Sequence, residues 1–291
     1  MTASTSEHPT ELADGSDFLL YFLHSRNAVV GAAMVLVVVL VAVSAPWLAP
    51  AEPDNVDLWK AWEGPSAAHW LGTDAVGRDV LSRLMHGARV SLFISVSVLA
   101  ITLPLGTLLG MCAAWFGGWV DTLIMRTVDI IFGFPELVLV ILIAAVLGPG
   151  KFTVIAALSL VWWPGVARLV RSLVLSLKSE LYVDAAVTAG TPVHRIMRRH
   201  LLPNIVAPLI VRASIGVGFI IMAEATLSFL GIGVQEPDPT WGAMIRDGLG
   251  ELYTDPHLAL FSSLALAFTL IGFNLFGDGL RDVLDPRVRD R

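Results

Sequence analysis

The stretch Tyr182-Val-Asp-Ala-Ala-Val-Thr-Ala-Gly190, followed by His200-Leu-Leu-Pro203, decides the fold class of this chain. It includes a basic run that begins at Arg195, yet long apolar segments flank it on both sides. The alanines keep the surface of a helix small, and Gly190 permits the left-handed turn that ends a helix. Pro192 can open a second short helix, because its missing N–H costs nothing there. The pattern therefore predicts two short helices lying across a membrane face, where another protein can approach closely.

The overall composition is that of a membrane protein. Hydrophobic residues make up 55% of the 291 residues and charged residues only 15%, whereas soluble domains have about 25% charged residues. The net charge of −6 gives no reason to expect nucleic acid as a partner. Cys112 is the only cysteine, which excludes an internal disulfide and any cysteine-cluster metal site.

Six apolar blocks are long enough to cross a bilayer core of about 30 Å as helices. They lie near Ala28–Leu48, Val90–Trp115, Thr122–Leu147, Phe152–Leu173, Ile205–Leu230 and Leu258–Phe276. Pro135 predicts a kink in the third block and Pro164 a kink in the fourth. The fold class predicted is an all-α membrane protein with six transmembrane helices, preceded by a flexible polar tail over residues 1–27.

Lysine and arginine residues are distributed unevenly between the two predicted sides of the membrane. With the amino terminus inside, twelve fall on inner segments and six on outer segments, and Arg212 lies within a span, which accounts for all 19. This excess agrees with the positive-inside rule. Both termini and the loop 176–204 are therefore predicted to be cytoplasmic.

The spacing [DE]-A-A-x3-G-x9-H-x-L-P in this loop resembles the "EAA" loop of ABC-transporter permease subunits. The resemblance implies type I importer architecture and a loop that docks on a separate ATPase and transmits its motion. Asp184 stands where that family usually has glutamate, so the charge is kept with a shorter reach. The residues that match this ATPase-coupling loop, or lie in its basic run, are Tyr182, Asp184, Ala185, Ala186, Gly190, Arg195, Arg198, Arg199, His200, Leu202 and Pro203.

Three other stretches resemble one branch of that family, the C-type permease subunit of dipeptide, oligopeptide and nickel importers. They are His69–Arg83 with Gly87–Leu92, Glu224–Gln235 with Trp241–Met244, and the ending Gly277–Arg287. The resemblance divides the chain into the tail (1–27), the first helix with an extracytoplasmic loop (28–89) and a core of five helices (90–291). It implies import of short peptides across the bacterial cytoplasmic membrane.

The same resemblance implies a set of partners. These are a second, different permease subunit, two nucleotide-binding ATPase subunits and an extracytoplasmic solute-binding protein, all at a lipid bilayer. ATP and Mg²⁺ are expected on the ATPase subunits, and no cofactor or metal is expected in this chain. Gly148-Pro-Gly-Lys151 is followed by Phe152 rather than by a serine or threonine, so it is not a phosphate-binding loop, and the chain is not expected to be an enzyme.

Other functions remain open at the level of sequence. The same machinery could import nickel, glutathione, haem or another small solute, because the four matching stretches belong to the machinery rather than to the solute. A membrane-embedded enzyme would need clustered catalytic residues, and the sequence has no His-Glu-x2-His motif. A passive channel would have no use for an ATPase-docking loop.

Charged and polar residues within the spans are costly and are candidates for the translocation pathway. The alternative is that they pair with one another or with the second permease subunit, and Arg126 is the simplest predicted partner of Asp129. Glu136 is the leading pathway candidate because it lies beside the Pro135 kink, and Asp129 is predicted to share its helical face. The full set is Asp129, Glu136, Arg212, Glu224 and Asn274.

Overall fold

The protein is built from helices that pack side by side. A computed structural model describes residues 15–284, with side chains from residue 20 onward. The start of the predicted tail (1–14) and the end of the carboxy-terminal signature (285–287) lie outside the described residues. The helices are α1 (Gly15–His24), α2 (Arg26–Leu48), α3 (Val80–Phe116), α4 (Gly118–Phe132), α5 (Glu136–Leu147), α6 (Lys151–Lys178), α7 (Leu181–Thr188), α8 (Val193–Ile196), α9 (Leu202–Phe229), α10 (Trp241–Gly248) and α11 (His257–Leu284).

Five helical segments in the described residues are long and apolar enough to cross a membrane, and α4 with α5 forms a sixth candidate. The five are α2, α3, α6, α11 and the continuous segment Val193–Phe229 that contains α8 and α9. Several extend beyond the predicted bounds. Helix α3 has 37 residues and begins at Val80, ten residues before the predicted start of the second span at Val90. The prediction of an all-helical membrane protein is confirmed.

The third predicted span is broken rather than kinked. Helices α4 and α5 meet at an angle of 88° across Gly133-Phe134-Pro135. Pro135 has no N–H for a helical hydrogen bond, and the backbone N–H of Gly133 closes the end of α4 by donating to the carbonyl of Asp129 at 2.9 Å. Because the break separates them, Asp129 and Glu136 do not share a helical face, and that prediction was wrong.

Helix α6 lies at the centre of the bundle, and about two thirds of the residues in its apolar stretch are buried. It continues through Pro164 without ending, so the proline does not interrupt this span. Two glycines of α3 allow the close approach of the two helices, because a Cβ at Gly106 or Gly110 would press on the backbone of α6. The fourth predicted span is therefore the main packing partner of the second.

The loops meet at two opposite ends of the bundle. At one end the backbone N–H of Gly150 donates to the carbonyl of Gly233 at 2.9 Å, and Lys151 contacts Asp238 at 2.6 Å. At the other end Lys178 donates to the carbonyl of Trp115 at 2.9 Å, beside α7. Segments that the sequence places on one side of the membrane therefore lie at one end of the molecule.

The amino-terminal segment differs from its prediction. A flexible polar tail was expected up to residue 27, but α1 occupies Gly15–His24 and α2 begins at Arg26. The ring of Phe22 lies 6.4 Å from that of Phe276 in α11, in an edge-to-face arrangement. The apolar run Phe18-Leu-Leu-Tyr-Phe-Leu23 within the tail is the signal that the sequence-based prediction missed.

Candidate functional site

The candidate coupling loop begins with α7, which ends in a Schellman motif. Gly190 has a φ of +71°, its N–H donates to the carbonyl of Val187 at 3.0 Å, and the N–H of Thr191 donates to that of Ala186 at 3.0 Å. These are the two bonds that define the motif. The prediction that Gly190 ends this helix in a left-handed turn is confirmed. The helix starts at Leu181, and Asp184 lies in its first turn.

A buried base holds the loop against the bundle. Val183, Ile196, Leu201 and Ile205 are almost fully buried. They form one apolar cluster with residues of α3 and α6, and the half-buried Ala186 packs against it. Sequence reasoning missed this base. The signal was the recurrence of apolar residues about one helical turn apart, at Ile196, Leu201 and Ile205.

The second short helix is continuous with the next span rather than a separate element. Helix α8 runs through a π-helical turn, Met197–Leu201, directly into α9. Pro203 lies in the first turn of α9 and cannot donate a backbone hydrogen bond. A wider π turn just before it accommodates the missing bond and the proline ring, so the chain needs no break there. Pro192 precedes the first residue of α8 as its N-cap.

The polar residues of the loop face outward. Asp184, Ala185, Arg195, Arg198, Arg199 and Pro203 are exposed, whereas His200 and Leu202 are half-buried. The ring of Tyr182 lies 6.2 Å from that of His200 and links the start of α7 to the π turn. Partial burial, together with the charge of Glu180, raises the pKa of the Tyr182 phenol. The loop thus presents a basic, small-residue surface on a fixed base.

The charges between α4 and α6 are paired. Arg168 donates to Asp129 at 2.7 Å, whereas the predicted partner Arg126 is 3.9 Å away. One turn further along α6, Arg171 donates twice to Asp121, both times at 2.6 Å. These pairs join helices about 40 to 50 residues apart in sequence, and no spacing rule could have found them.

Glu136, Trp162 and Arg212 form a second polar cluster, and sequence reasoning missed its central member. The indole Nε1 of Trp162 donates to Oε1 of Glu136 at 2.7 Å. The guanidinium carbon of Arg212 lies 4.7 Å from the centre of the Trp162 ring, a cation–π arrangement. The signal was the run Trp162-Trp-Pro-Gly165, which the sequence-based prediction treated only as a kink.

The two remaining pathway candidates lie apart from this cluster. Glu224 is completely buried and accepts hydrogen bonds from Ser91 at 3.0 Å and from Ser228 at 2.8 Å. Asn274 is exposed on α11, next to Gly218 of α9. The structure therefore brings together only Glu136 and Arg212 of the five candidates.

A network of ion pairs closes the opposite end of the bundle. Glu236 accepts from Arg78 at 2.7 Å and from Arg83 at 2.9 Å, and Arg78 also donates to Asp74 at 2.6 Å. Burial alone would lower the pKa of Arg78, but the hydrogen bonds and charges of Asp74 and Glu236 outweigh it and raise the pKa. The outer loop is thereby tied to the segment between α9 and α10.

Comparisons with known proteins identify the family. Residues 104–290 match the family model described as "Binding-protein-dependent transport system inner membrane component". Residues 15–64 match the model described as "N-terminal TM domain of oligopeptide transport permease C". The chain belongs to the permease C branch of the peptide ABC importers. As a permease subunit it does not itself hydrolyse ATP, and no cofactor is expected in it.

Curated relatives cover almost the whole permease. It is 40% identical to the glutathione transport system permease protein GsiD of Pectobacterium atrosepticum over 94% of this chain and 91% of that protein. It is also 40% identical to the GsiD protein of an Escherichia coli strain, over 94% and 90%. The dipeptide transport system permease protein DppC of Alkalihalophilus pseudofirmus is 40% identical over 91% and 87%.

One solved structure is similar in fold. It is a chain of the MetNI methionine ABC transporter in an inward-facing conformation, with a TM-score of 0.51 and 19% identity. The match covers 70% of this permease and 96% of that chain. The likeness shows that the helices have the arrangement of an ABC importer permease. The family implies a complex with ATPase subunits and a binding protein.

Proposed function

We propose that this permease is one of two different permease subunits of an ABC importer in a bacterial cytoplasmic membrane. In this proposal it crosses the membrane six times, with α4 and α5 as one broken span and both termini cytoplasmic. The support is the excess of inner cations and the meeting of the predicted outer loops at one end of the molecule. Two ATPase subunits and an extracytoplasmic solute-binding protein complete the assembly.

The loop 176–204 is proposed to receive the ATPase. The observation that carries this proposal is the construction of α7, which is capped by the Gly190 turn, exposed on its outer face and fixed to α3 and α6 through its buried base. A movement of the ATPase against the exposed Ala185 face would be transmitted to the spans through the buried Val183, while α7 stays folded. The exposed arginines Arg195 and Arg198 would meet acidic groups of the ATPase or lipid phosphates.

The proposed solute is a small peptide, with glutathione as the first candidate. Short peptides were the leading expectation from the sequence and glutathione an alternative, but the GsiD relatives favour glutathione. Because the DppC relative belongs to a dipeptide transport system, a dipeptide is the second candidate solute. Glutathione is itself a tripeptide with two carboxylates and one ammonium group. A pathway for glutathione and a pathway for dipeptides would therefore both need to accept a zwitterion.

Asp129, Glu136 and Arg212 are proposed to lie along or beside the pathway. Their side chains lie at the exposed break between α4 and α5 and on the facing parts of α6 and α9, where a second permease subunit could complete a channel. The complete burial of Glu224 favours a role in packing. We keep Asn274 as a pathway candidate on its exposure alone.

The test is reconstitution of the whole complex. The permease would be co-expressed with the second permease, ATPases and binding protein of its gene cluster and purified through a tag on this chain. ATP hydrolysis would be measured in lipid nanodiscs with the binding protein loaded with glutathione, with dialanine or with nickel. Stimulation by glutathione or dialanine is the expected result. Stimulation by nickel alone would replace the solute, and failure to recover an ATPase would refute the docking role of the loop.

A further inference from the structure

Arg212 differs from Arg168 and Arg171 of α6 because its guanidinium has no carboxylate bound to it. Arg168 and Arg171 each donate to an aspartate at 2.6–2.7 Å. Among residues 20–284, no side chain forms a hydrogen bond or an ion pair with Arg212. Its guanidinium instead makes a cation–π contact with the ring of Trp162. Arg212 lies within the continuous apolar segment Val193–Phe229, where a charge is costly unless something pairs with it.

The platform under Arg212 is held in place from several sides. Trp162 is 5% exposed, and its N–H is bound by Glu136 at 2.7 Å. A Cβ at Gly216 would come within 2.9 Å of the indole ring, and one at Gly165 within 3.0 Å of Nη2 of Arg212. Glycine at both positions leaves room for the stacked indole and guanidinium. The run Trp162-Trp-Pro-Gly165 thus supplies both the ring and the space beside it.

The open edge of Arg212 suits a carboxylate. A guanidinium stacked on an aromatic ring still directs its N–H donors outward in its own plane, and this planar fork matches the two oxygens of a carboxylate. Glu136 accepts from Trp162 through Oε1, which leaves Oε2 for another donor. A guanidinium on the face of the Trp162 indole and a carboxylate at its Nε1 edge complement a zwitterion, which carries both an acid and an ammonium group.

We propose that Arg212 binds a carboxylate of the transported solute during translocation and that Trp162 is the residue that positions it. This inference rests on the proposed function and adds to it the atom that the solute's acid group meets. It also shifts the main solute contact from Glu136, the leading candidate from sequence, to Arg212. The alternative occupant of the site is an acidic side chain of the second permease subunit, and the experiment separates the two.

The experiment compares an acid with its amide in the reconstituted complex. The solute pair is dialanine with dialaninamide, or glutathione with each of its two monoamides in turn because it has two carboxylates, whichever acid drives the wild-type complex. Uptake into proteoliposomes is measured for wild type, Arg212→Gln and Trp162→Phe. Preference of the binding protein for the acid is the same in every variant, so it cancels when the acid-to-amide ratios are compared. Arg126→Gln is the matched control, because that side chain is 77% exposed.

The expected result is a loss of acid preference rather than a general loss of transport. A charge-assisted hydrogen bond is worth about tenfold or more, so Arg212→Gln should lower the acid-to-amide ratio by about that factor. Trp162→Phe keeps a ring but loses the bond to Glu136, and it should lower the ratio by a smaller factor. Arg126→Gln should leave the ratio unchanged.

Other results would overturn the inference. An unchanged ratio in Arg212→Gln would show that the solute's acid group does not meet Arg212. If Arg212→Gln does not co-purify with its partners, Arg212→Lys is measured instead, and failure of both to assemble would assign Arg212 to the subunit interface. A wild-type complex that responds to neither glutathione nor dialanine would refute the proposed peptide solute, and this inference with it, without any variant being involved.

Discussion

Gly190 offers a test of coupling in which the backbone, rather than side-chain bulk, is changed. The residue closes α7 at a φ of +71°, and no atom lies within 4 Å of the position that a Cβ would occupy. A side chain placed there meets empty space in this subunit but must adopt a left-handed backbone. Asparagine tolerates that conformation far better than valine, although the two are similar in size. Gly190→Val and Gly190→Asn therefore form a matched pair.

The expected magnitude follows from the geometry. A β-branched residue in the left-handed region costs about 1–2 kcal/mol, and losing the turn also releases the two hydrogen bonds of the cap, each worth about 1 kcal/mol. Helix α7 has only eight residues, too few to be stable without such support. A loss of 1–2 kcal/mol lowers the ratio of capped to uncapped loop by about 5- to 30-fold.

The assay is the number of solute molecules imported per ATP hydrolysed, in the reconstituted complex. We expect Gly190→Val to lower this number, or to release the ATPase, whereas Gly190→Asn stays close to wild type. Hydrogen exchange at the amides of Gly190 and Thr191 would report the loss of the cap directly. Equal losses in the two variants would indicate that surface bulk matters and not the turn. Unchanged coupling in Gly190→Val would refute the docking role of a capped α7.

Three further substitutions test packing and charge. Gly242→Ala should prevent folding, because its methyl group would overlap the backbone of Ala225, and the peak of folded protein should be lost in size-exclusion chromatography. Gly250→Ala is the control, since nothing lies within 4 Å of the added methyl group, and its yield should be that of wild type. Equal yields of the two variants would contradict this prediction. Glu224→Ala should destabilise the protein by about 1–3 kcal/mol and so lower its melting temperature, because the buried hydroxyls of Ser91 and Ser228 lose their acceptor. Reduced uptake at an unchanged melting temperature would instead assign Glu224 to the pathway. Arg83→Gln should destabilise the protein by about 1–3 kcal/mol, because it removes the hydrogen bond to Glu236 while Asp74 and Glu236 both keep Arg78, and an unchanged melting temperature would contradict a stabilising role of Arg83.

The sequence predicted features that depend on one segment at a time. Span lengths follow from the thickness of a bilayer, and the end of α7 follows from glycine at residue 190. Pro135 predicted an interruption, but the 88° bend depends on how α5 packs against α6, which no local rule describes. The π turn before Pro203 was missed because a proline near a helix start usually marks a boundary, and here the helix continues.

The candidate site was predicted less completely because its contacts join distant helices. Asp129 was assigned to its near neighbour Arg126, but Arg168 binds it more closely from 39 residues away. Glu136 and Arg212 were each found as charges in an apolar span. Their common neighbour Trp162 was not, since a tryptophan in such a span is ordinarily an apolar packing residue.

The ion-pair network at the outer end has a consequence for how the protein is made. Arg78 and Arg83 leave the ribosome with Asp74 nearby, but Glu236 follows Arg83 by 153 residues. At about 5–20 residues per second, the two arginines share a single carboxylate for about 8 to 30 s. The second to fifth spans are made during this interval, so this end of the bundle cannot close until α9 is complete. A nascent chain that stalls before Glu236 therefore leaves the two arginines with Asp74 but without their second carboxylate partner.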